Sequence, residues 1–440
     1  MTYPEKVKAH LWDDIHQMSK HPEQFAKNPE SDFTRKRKLD FEELLRFLVS
    51  MQSGTTAHEL LKHFDFSTDV ISNSGFIQQR QKLLPNALRF LLLNFNSHFH
   101  FELYRGKYQL IACDGCEFNI ARNPHDSDTF YPPPEGRKAV KGHNTLHTVS
   151  LFDLINKRYL DCEMQPGRLK NEFRAICNLA NRHSYGGLPV FIADRGFSCY
   201  NFYAHAMQND IFFLVRAKDV NVKRYLALDS LPNCIDSTVE LILTRNQSKK
   251  KRCHPELESQ YRFISREVSF DFIEHGSNTE FPLQFRVVRI EISDGVFENL
   301  ITNIPLDDAT PNELKHWYHM RWGIETSFRD LKHTIGTVNF HSKKFDFIVM
   351  EIWARLILFN FCALIALHVI IKKKCTKYVY QVNFAMALKI CHHFLRLRDK
   401  DPPIDIVGLI GNSTLPIRPG RSFPRRNRLK NAACFCHRHS

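Results

Sequence analysis

The order of strand-like and helix-like segments between Tyr108 and Ala217 restricts the possible folds of this chain more than any other feature. Short apolar runs bounded by turn residues predict three strands in succession, followed by a helix, a strand, a helix and a strand. These segments are YQLIACDG, HNTLHTVSLFDLI, KRYLDCEM, RLKNEFRAICNLANRH, LPVFIADRG, residues 199–208 and IFFLVRA. This order predicts an α/β core in which helices pack against a sheet.

The first 105 residues have apolar side chains at helical spacing, for example from Phe41 to Leu48. Thr56 and Glu59 have the spacing of a capping box, and SNSG at 72–75 predicts a turn before the helical segment FIQQRQKLL. Two short helices around a turn are typical of a helix-turn-helix. A plain helical bundle gives the same pattern, so both interpretations remain open.

Basic residues in this region are candidate phosphate contacts of a DNA-binding domain. They are Arg80, Lys82 and the RKRK run at 35–38. The whole chain has 61 Lys and Arg against 47 Asp and Glu, which gives a net charge of +14. Such a charge favours a polyanionic partner, either nucleic acid or an acidic membrane surface, and does not distinguish between them.

The segment after Lys218 is strand-rich again and precedes a long helical pattern at 311–335. We therefore divide the chain into five parts by number: 1–105, an N-terminal helical and DNA-binding domain; 106–217, the first part of the core; 218–305, a β-rich insertion; 306–372, the second part of the core; and 373–440, a C-terminal helical region and basic tail.

A membrane partner is not expected, although the apolar run from Leu356 to Ile371 approaches spanning length. The run contains Asn360 and His368 and is shorter than the roughly 20 residues that a span needs, so it predicts a buried helix. The N-terminus has no apolar core of an export signal, and the 12 cysteines have no disulfide spacing, which predicts a cytoplasmic protein with reduced thiols. CFCHRH at 434–439 is either a structural zinc site or a solvated tail.

Two aspartates follow predicted strands, Asp114 in CDG and Asp194 in ADRG. The carboxyl ends of neighbouring parallel strands meet at one crevice, where open α/β sheets place their chemistry. Gly115 and Gly196 would allow sharp turns beside each acid. Either aspartate alone is also typical of a turn or helix cap, so the prediction of a site depends on the pair.

The helix that contains WYHMRWGIETSFRDLKHTIG has a polar stripe beside an apolar face. At about 100° per residue, the stripe residues lie within roughly 60° of one another. They are Tyr318, Arg321, Glu325 and Lys332, with Trp322 and Arg329 close by. Aromatic and cationic groups on one face suit stacking and phosphate binding, whereas ordinary surface ion pairs give a similar pattern. With the two aspartates, Glu325 would give three carboxylates for two divalent cations in phosphoryl transfer.

These residues resemble transposases of the insertion sequence 4 family. Tyr318, Arg321, Glu325 and Lys332 match the family's Y-R-E-K signature with every spacing kept, and DG and DRGF match its two aspartate motifs. The resemblance implies a ribonuclease H-like catalytic core, interrupted by a β-rich insertion before the glutamate-bearing helix. It also implies that Asp114, Asp194 and Glu325 are catalytic and bind Mg²⁺ or Mn²⁺.

The resemblance further implies DNA cleavage and strand transfer at the terminal inverted repeats of an insertion sequence, commonly through a hairpin, and then joining to target DNA. Tyr318, Arg321 and Lys332 would hold phosphates, Arg195 would assist, and a homodimer would bridge paired ends. The bacterial relatives imply a nucleoid-associated protein.

One departure concerns base flipping, since no Trp lies between Asp194 and Trp317 where some relatives have one. In the loop after the first strand, Arg137, Lys138 and Lys141 are candidate DNA contacts, or the loop is a plain surface loop. Two alternative functions remain: a catalytically silent DNA-binding protein derived from a transposase, and a ribonuclease H-like nuclease that cuts without joining.

Overall fold

A computed structural model describes residues 1–35, 37–52, 54–133, 135, 141–182, 185–248, 258–335, 340–371, 378–398 and 400–417. Several predictions concern residues outside these ranges: Lys36 of the basic run, the loop cations Arg137 and Lys138, and the tail from residue 418 with its Cys and His cluster. The cysteines among the described residues have free thiols, as predicted.

The N-terminal region is helical, as predicted. Its helices are α1 Tyr3–Ser19, α2 Phe41–Ser50, α3 Thr56–His63, α4 Asn73–Lys82 and α5 Asn86–Ser97. The predicted apolar row of α2 is buried, and the Asp40 side chain caps this helix by accepting a hydrogen bond from the Glu43 backbone N–H.

Two predictions in this region, the capping box and the turn, are wrong. Thr55, not Thr56, caps α3, because its side chain accepts from the His58 N–H. Glu59 instead accepts from the Gln52 and Gly54 N–H groups. The SNSG segment is not a turn between helices, since Ser72 caps α4 and the helix begins at Asn73.

The predicted phosphate contact Arg80 is buried, at 1% exposure. Its Nη1 lies 3.2 Å from Glu351 Oε1, and Nη2 donates to the Phe347 carbonyl. A guanidinium enclosed in this way links two helices and does not reach DNA, so that prediction is also wrong.

A ten-stranded sheet forms the centre of the molecule. Its strands are β1 Tyr108–Ile120, β2 Phe130–Tyr131, β3 His143–Asp153, β4 Arg158–Pro166, β5 Leu188–Ala193, β6 Phe212–Ala217, β7 Ile235–Thr244, β8 Tyr261–Phe263, β9 Glu280–Ser293 and β10 Val296–Thr302. The order is β2-β3-β1-β5-β6-β10-β9-β7-β8, with β4 paired to β3. Strands β1, β5 and β6 are parallel neighbours, and β3 is antiparallel to β1. Strands of segment 218–305 continue this sheet, because β10 pairs with β6.

Helices cover both faces of the sheet. One face packs against α6 Glu172–Asn181 and α7 Tyr200–Gln208. The other packs against α9 Pro311–Met320, α10 Trp322–Arg329 and α11 Phe345–His368, with the N-terminal helices behind them. Helix α8 Asp219–Leu226 follows β6. The C-terminal part contains β11 Tyr380–Val382, α12 Phe384–Arg396, α13 Ile406–Asn412 and β12 Thr414–Pro416.

Helix α11 is the apolar segment that approaches membrane-spanning length. It is long and apolar enough by composition to cross a membrane, but its most apolar window is completely buried inside the protein. Asn360 accepts from the Tyr159 N–H and donates to the Tyr159 carbonyl, which places the helix against β4. The prediction of a buried helix is confirmed.

Candidate active site

Asp114 lies within β1 and not at its end, contrary to the prediction. The antiparallel partner β3 pairs with β1 beyond this point, for example Asp114 with Ser150 and Gly115 with Val149. The parallel partner β5 stops earlier, at the pair Cys113–Ala193. Gly115 is therefore a strand residue and not a turn residue, and the Asp114 backbone stands at the level where β5 ends.

Asp194 follows the last residue of β5, as predicted. Its Oδ1 accepts a hydrogen bond of 2.7 Å from the Gly196 N–H and caps the short 3₁₀ turn Arg195–Phe197. Because β1 and β5 are parallel neighbours, the two aspartates occupy the same edge of the sheet.

The helix predicted at 311–335 is divided in the structure. Helix α9 ends at Met320, α10 begins at Trp322, and a π-helical turn occupies Asp330–Thr334. At the junction, the Arg321 N–H donates to Tyr318 O and the Ile324 N–H donates to Arg321 O, which are three-residue spacings that tighten the turn. The junction falls on the arginine of the polar stripe.

Arg321 connects the two parts of the site. Its Nη1 lies 3.1 Å from Asp114 Oδ2, and its Nη2 lies 3.0 Å from Glu325 Oε1. The residue is only 5% exposed, and its guanidinium packs near the rings of Tyr318 and Trp322. A planar cation thus separates two carboxylates from distant parts of the sequence.

The protonation of Asp114 reflects this environment. Burial raises its pKa to about 6, Arg321 and the Gly115 N–H oppose the rise, and the charges of Asp194 and Glu325 add to it. Asp194 and Glu325 therefore both lie close enough to Asp114 for their charges to oppose its ionisation. A divalent cation would relieve this repulsion.

The remaining residues of the predicted site differ in accessibility. Tyr318 is buried at 5% exposure, whereas Trp322 is 49% exposed. Arg195 and Arg329 are exposed. The Lys332 ammonium lies 5.3 Å from the centre of the Phe118 ring, on the π-helical turn. The polar stripe therefore divides into a buried part around Arg321 and an accessible part.

The donor chemistry of the site suits a hard divalent cation, because carboxylate oxygens are the ligands that Mg²⁺ prefers. Among the described residues, however, no three His, Cys, Asp or Glu side chains are arranged around one point as ligands. Arg321 lies between two of the candidates. Its guanidinium would have to move away for Asp114 and Glu325 to share an ion.

Two further residues, Glu172 and His147, lie beside the site and were not predicted from the sequence. His147 Nε2 lies 3.1 Å from Glu172 Oε1. Glu172 is the first residue of α6, where an acidic side chain is expected from the helix dipole alone. The sequence pattern therefore contains no signal that distinguishes it.

Comparisons with known proteins identify a family. Residues 105–361, more than half of the chain, match the family described as "Transposase DDE domain". No curated protein matches the sequence significantly. Among solved structures, a piggyBac transposase in a cryo-EM structure of its synaptic complex with hairpin DNA is similar, with a TM-score of 0.41 and 11% identity, covering 95% of this chain and 87% of that chain.

Proposed function

Because this chain belongs to the transposase DDE domain family, we propose that it binds the ends of an insertion sequence and catalyses DNA cleavage and strand transfer there. The observation that supports this function most directly is that Asp114 and Asp194 stand at the same level of neighbouring strands, while Arg321 joins Asp114 to Glu325. A protein that only bound DNA would gain nothing from bringing three carboxylates, which repel phosphates, to the end of these strands.

In this proposal the three carboxylates hold Mg²⁺ or Mn²⁺. When bound, such ions would supply the electrophilic stabilisation that phosphoryl transfer needs. Arg321 pairs with Asp114 and Glu325 in the free protein, and its guanidinium leaves them to pair with a phosphate oxygen when DNA binds. The exposed indole of Trp322 is available to stack on a base near the cut.

The proposal includes a ribonuclease H-like catalytic core. Strands β3 and β4 follow β1 in antiparallel order, and α6, β5, α7 and β6 follow them, which is the order of a ribonuclease H-like core. The proposed domain organisation has five parts, 1–105, 106–217, 218–305, 306–372 and 373–440. Segment 218–305 is then an insertion whose strands extend the core sheet and precede the helix with Glu325.

Within the transposases, the chain is proposed to belong to the insertion sequence 4 family. The ground is the spacing of Tyr318, Arg321, Glu325 and Lys332. Arg195, Arg329 and Lys332 then contact DNA phosphates from accessible positions. The partners are the terminal inverted repeats and target DNA, bridged by a homodimer, in the bacterial cytoplasm at the nucleoid.

Replacing Asp194 with Asn tests the function. The variant should lose Mn²⁺-dependent cleavage of a labelled element end, while its gel shift stays close to that of the parent, because basic residues supply most of the DNA affinity. Asp307→Asn, at an exposed position before α9, is the matched control and should cut normally. Cleavage by the Asp194 variant at the parental rate would refute the proposed site. A parent protein that binds the ends without cutting them would favour the silent DNA-binding alternative.

A further inference from the structure

Glu172 lies against the glycines of both aspartate motifs. A Cβ placed on Gly115 would come within 2.6 Å of Glu172 Oε1. A Cβ placed on Gly196 would lie 2.9 Å from Asp194 Oδ1 and 3.8 Å from Glu172 Oε2. Because Gly115 and Gly196 have no side chains, the Glu172 carboxylate has room to reach the carboxyl end of β5, next to Asp194.

This carboxylate approaches from the opposite face of β1 to that of Glu325. Side chains alternate along a strand, so Asp114 shares a face with Ala112 and points towards the helix of Glu325. Gly115 faces the other side, where α6 packs. Asp194 follows the end of β5, between these two faces. Glu325 and Glu172 therefore lie on opposite faces of the sheet, beside Asp114 and the carboxyl end of β5.

His147 contacts Glu172 from the neighbouring strand β3. It lies on β3, is only 3% exposed, and places Nε2 at 3.1 Å from Glu172 Oε1. Neither nitrogen of its ring forms a hydrogen bond of acceptable geometry with a described group, so the approach to Glu172 is a close contact and not a formed hydrogen bond. The Glu172 side chain is 37% exposed, so the buried imidazole backs a carboxylate that solvent and ions can reach.

On the basis of the proposed function, we propose that Glu172 is a fourth carboxylate of the divalent-cation site, next to Asp194, and that His147 is its positioning residue. A carboxylate held by a second group is typical of metal sites, in which such partners fix the orientation of the ligand. Glu172 binds the ion directly or through a bound water. Gly115 and Gly196 are required because any side chain there would displace this carboxylate or Asp194.

The test is Mn²⁺ binding to the full-length, DNA-free protein, measured by the electron paramagnetic resonance signal of free Mn²⁺. Glu172→Gln should weaken binding about tenfold, His147→Asn should weaken it less, and Glu172→Asp should be intermediate. Glu163→Gln is the matched control, because Glu163 pairs with Arg182 at the other end of α6 and should leave binding unchanged.

Parental Mn²⁺ affinity in Glu172→Gln, with Asp194→Asn weakened, would overturn this inference alone. Parental affinity in both variants would overturn the proposed metal site as well. If Glu172→Gln lowers the melting temperature of the metal-free protein, Glu172→Asp decides, since it retains the charge opposite His147. Intermediate affinity in that variant supports the inference, and parental affinity overturns it.

Discussion

Arg321 Nη1 lies 3.1 Å from Asp114 Oδ2, and the same guanidinium contacts Glu325, so one arginine occupies the space between two predicted metal ligands. The four-residue spacing of Arg321 and Glu325 places both groups on one side of α10, while Asp114 comes from the middle of β1. Arg321 therefore supplies one positive charge to Asp114 and Glu325, and a divalent cation bound to these carboxylates would compete with it for the same oxygens.

Replacing Arg321 with Gln should tighten Mn²⁺ binding by the DNA-free protein at pH 8, because the competing cation is gone. An increase of about tenfold corresponds to about 1.4 kcal/mol. Cleavage should nevertheless fall, since a phosphate contact is lost as well. Arg321→Lys retains a charge and should bind Mn²⁺ more like the parent. Weaker Mn²⁺ binding in the Gln variant would show that Arg321 orders the carboxylates and does not compete with the ion.

The pKa of Asp114 predicts opposite pH dependences for stability and for metal affinity. Its folded-state pKa is about 6, above the usual value of 3.8, so the folded state retains a proton that the unfolded chain releases. Protonated Asp114 therefore favours the folded state. This stabilisation is fully present below pH 4 and is lost as the pH rises through 6. Divalent-cation binding needs the ionised form and should strengthen over that same rise.

Mn²⁺ titrations at pH 5.5 and pH 7.5 measure the change in metal affinity. Urea unfolding of the metal-free protein at pH 4 and pH 7 measures the change in stability. Asp114→Asn removes the titrating group and should reduce both differences. An equal pH dependence in parent and variant would assign the titration to another residue.

Strands β1, β3, β4, β5 and β6 were predictable because each is largely apolar and is bounded by turn residues, whereas the two-residue strand β2 was not predicted. The stripe on the helix of Glu325 was also predictable, because helical spacing determines which side chains share a face. Asp194 was placed correctly because the apolar run of β5 stops immediately before it.

The errors arose where tertiary contacts decide the outcome. A strand continues through Asp114 because β3 offers further backbone partners, and a sequence pattern does not contain that pairing. The helix junction at Arg321 has no proline or glycine at that position to signal it. Arg80 resembles any exposed helical cation until its distant partner Glu351 is known.

Replacing Lys332 with Ala should weaken binding of the element ends or slow their cleavage, with an effect that diminishes as salt rises. Removing one phosphate contact reduces the slope of the logarithm of affinity against the logarithm of salt concentration by about one. Gel shifts between 50 and 200 mM salt measure this slope. Lys223→Ala, on α8, is the control, since that ammonium already donates to the Asp229 carbonyl. Identical slopes for parent and Lys332→Ala would place Lys332 away from DNA.

Replacing Arg80 with Met tests whether this cation serves stability or DNA binding. Burial opposes ionisation of Glu351, but its hydrogen bond from His341 and the charges of His341 and Arg80 lower its pKa to about 2. Loss of Arg80 would leave a buried carboxylate with one fewer cation, so the free energy of unfolding should fall by about 3 kcal/mol. Lys82→Met, on the same helix and partly exposed, should change it by less than about 0.5 kcal/mol. Chemical denaturation measures both changes. An Arg80 variant of parental stability with weakened DNA binding would instead assign Arg80 to the DNA interface.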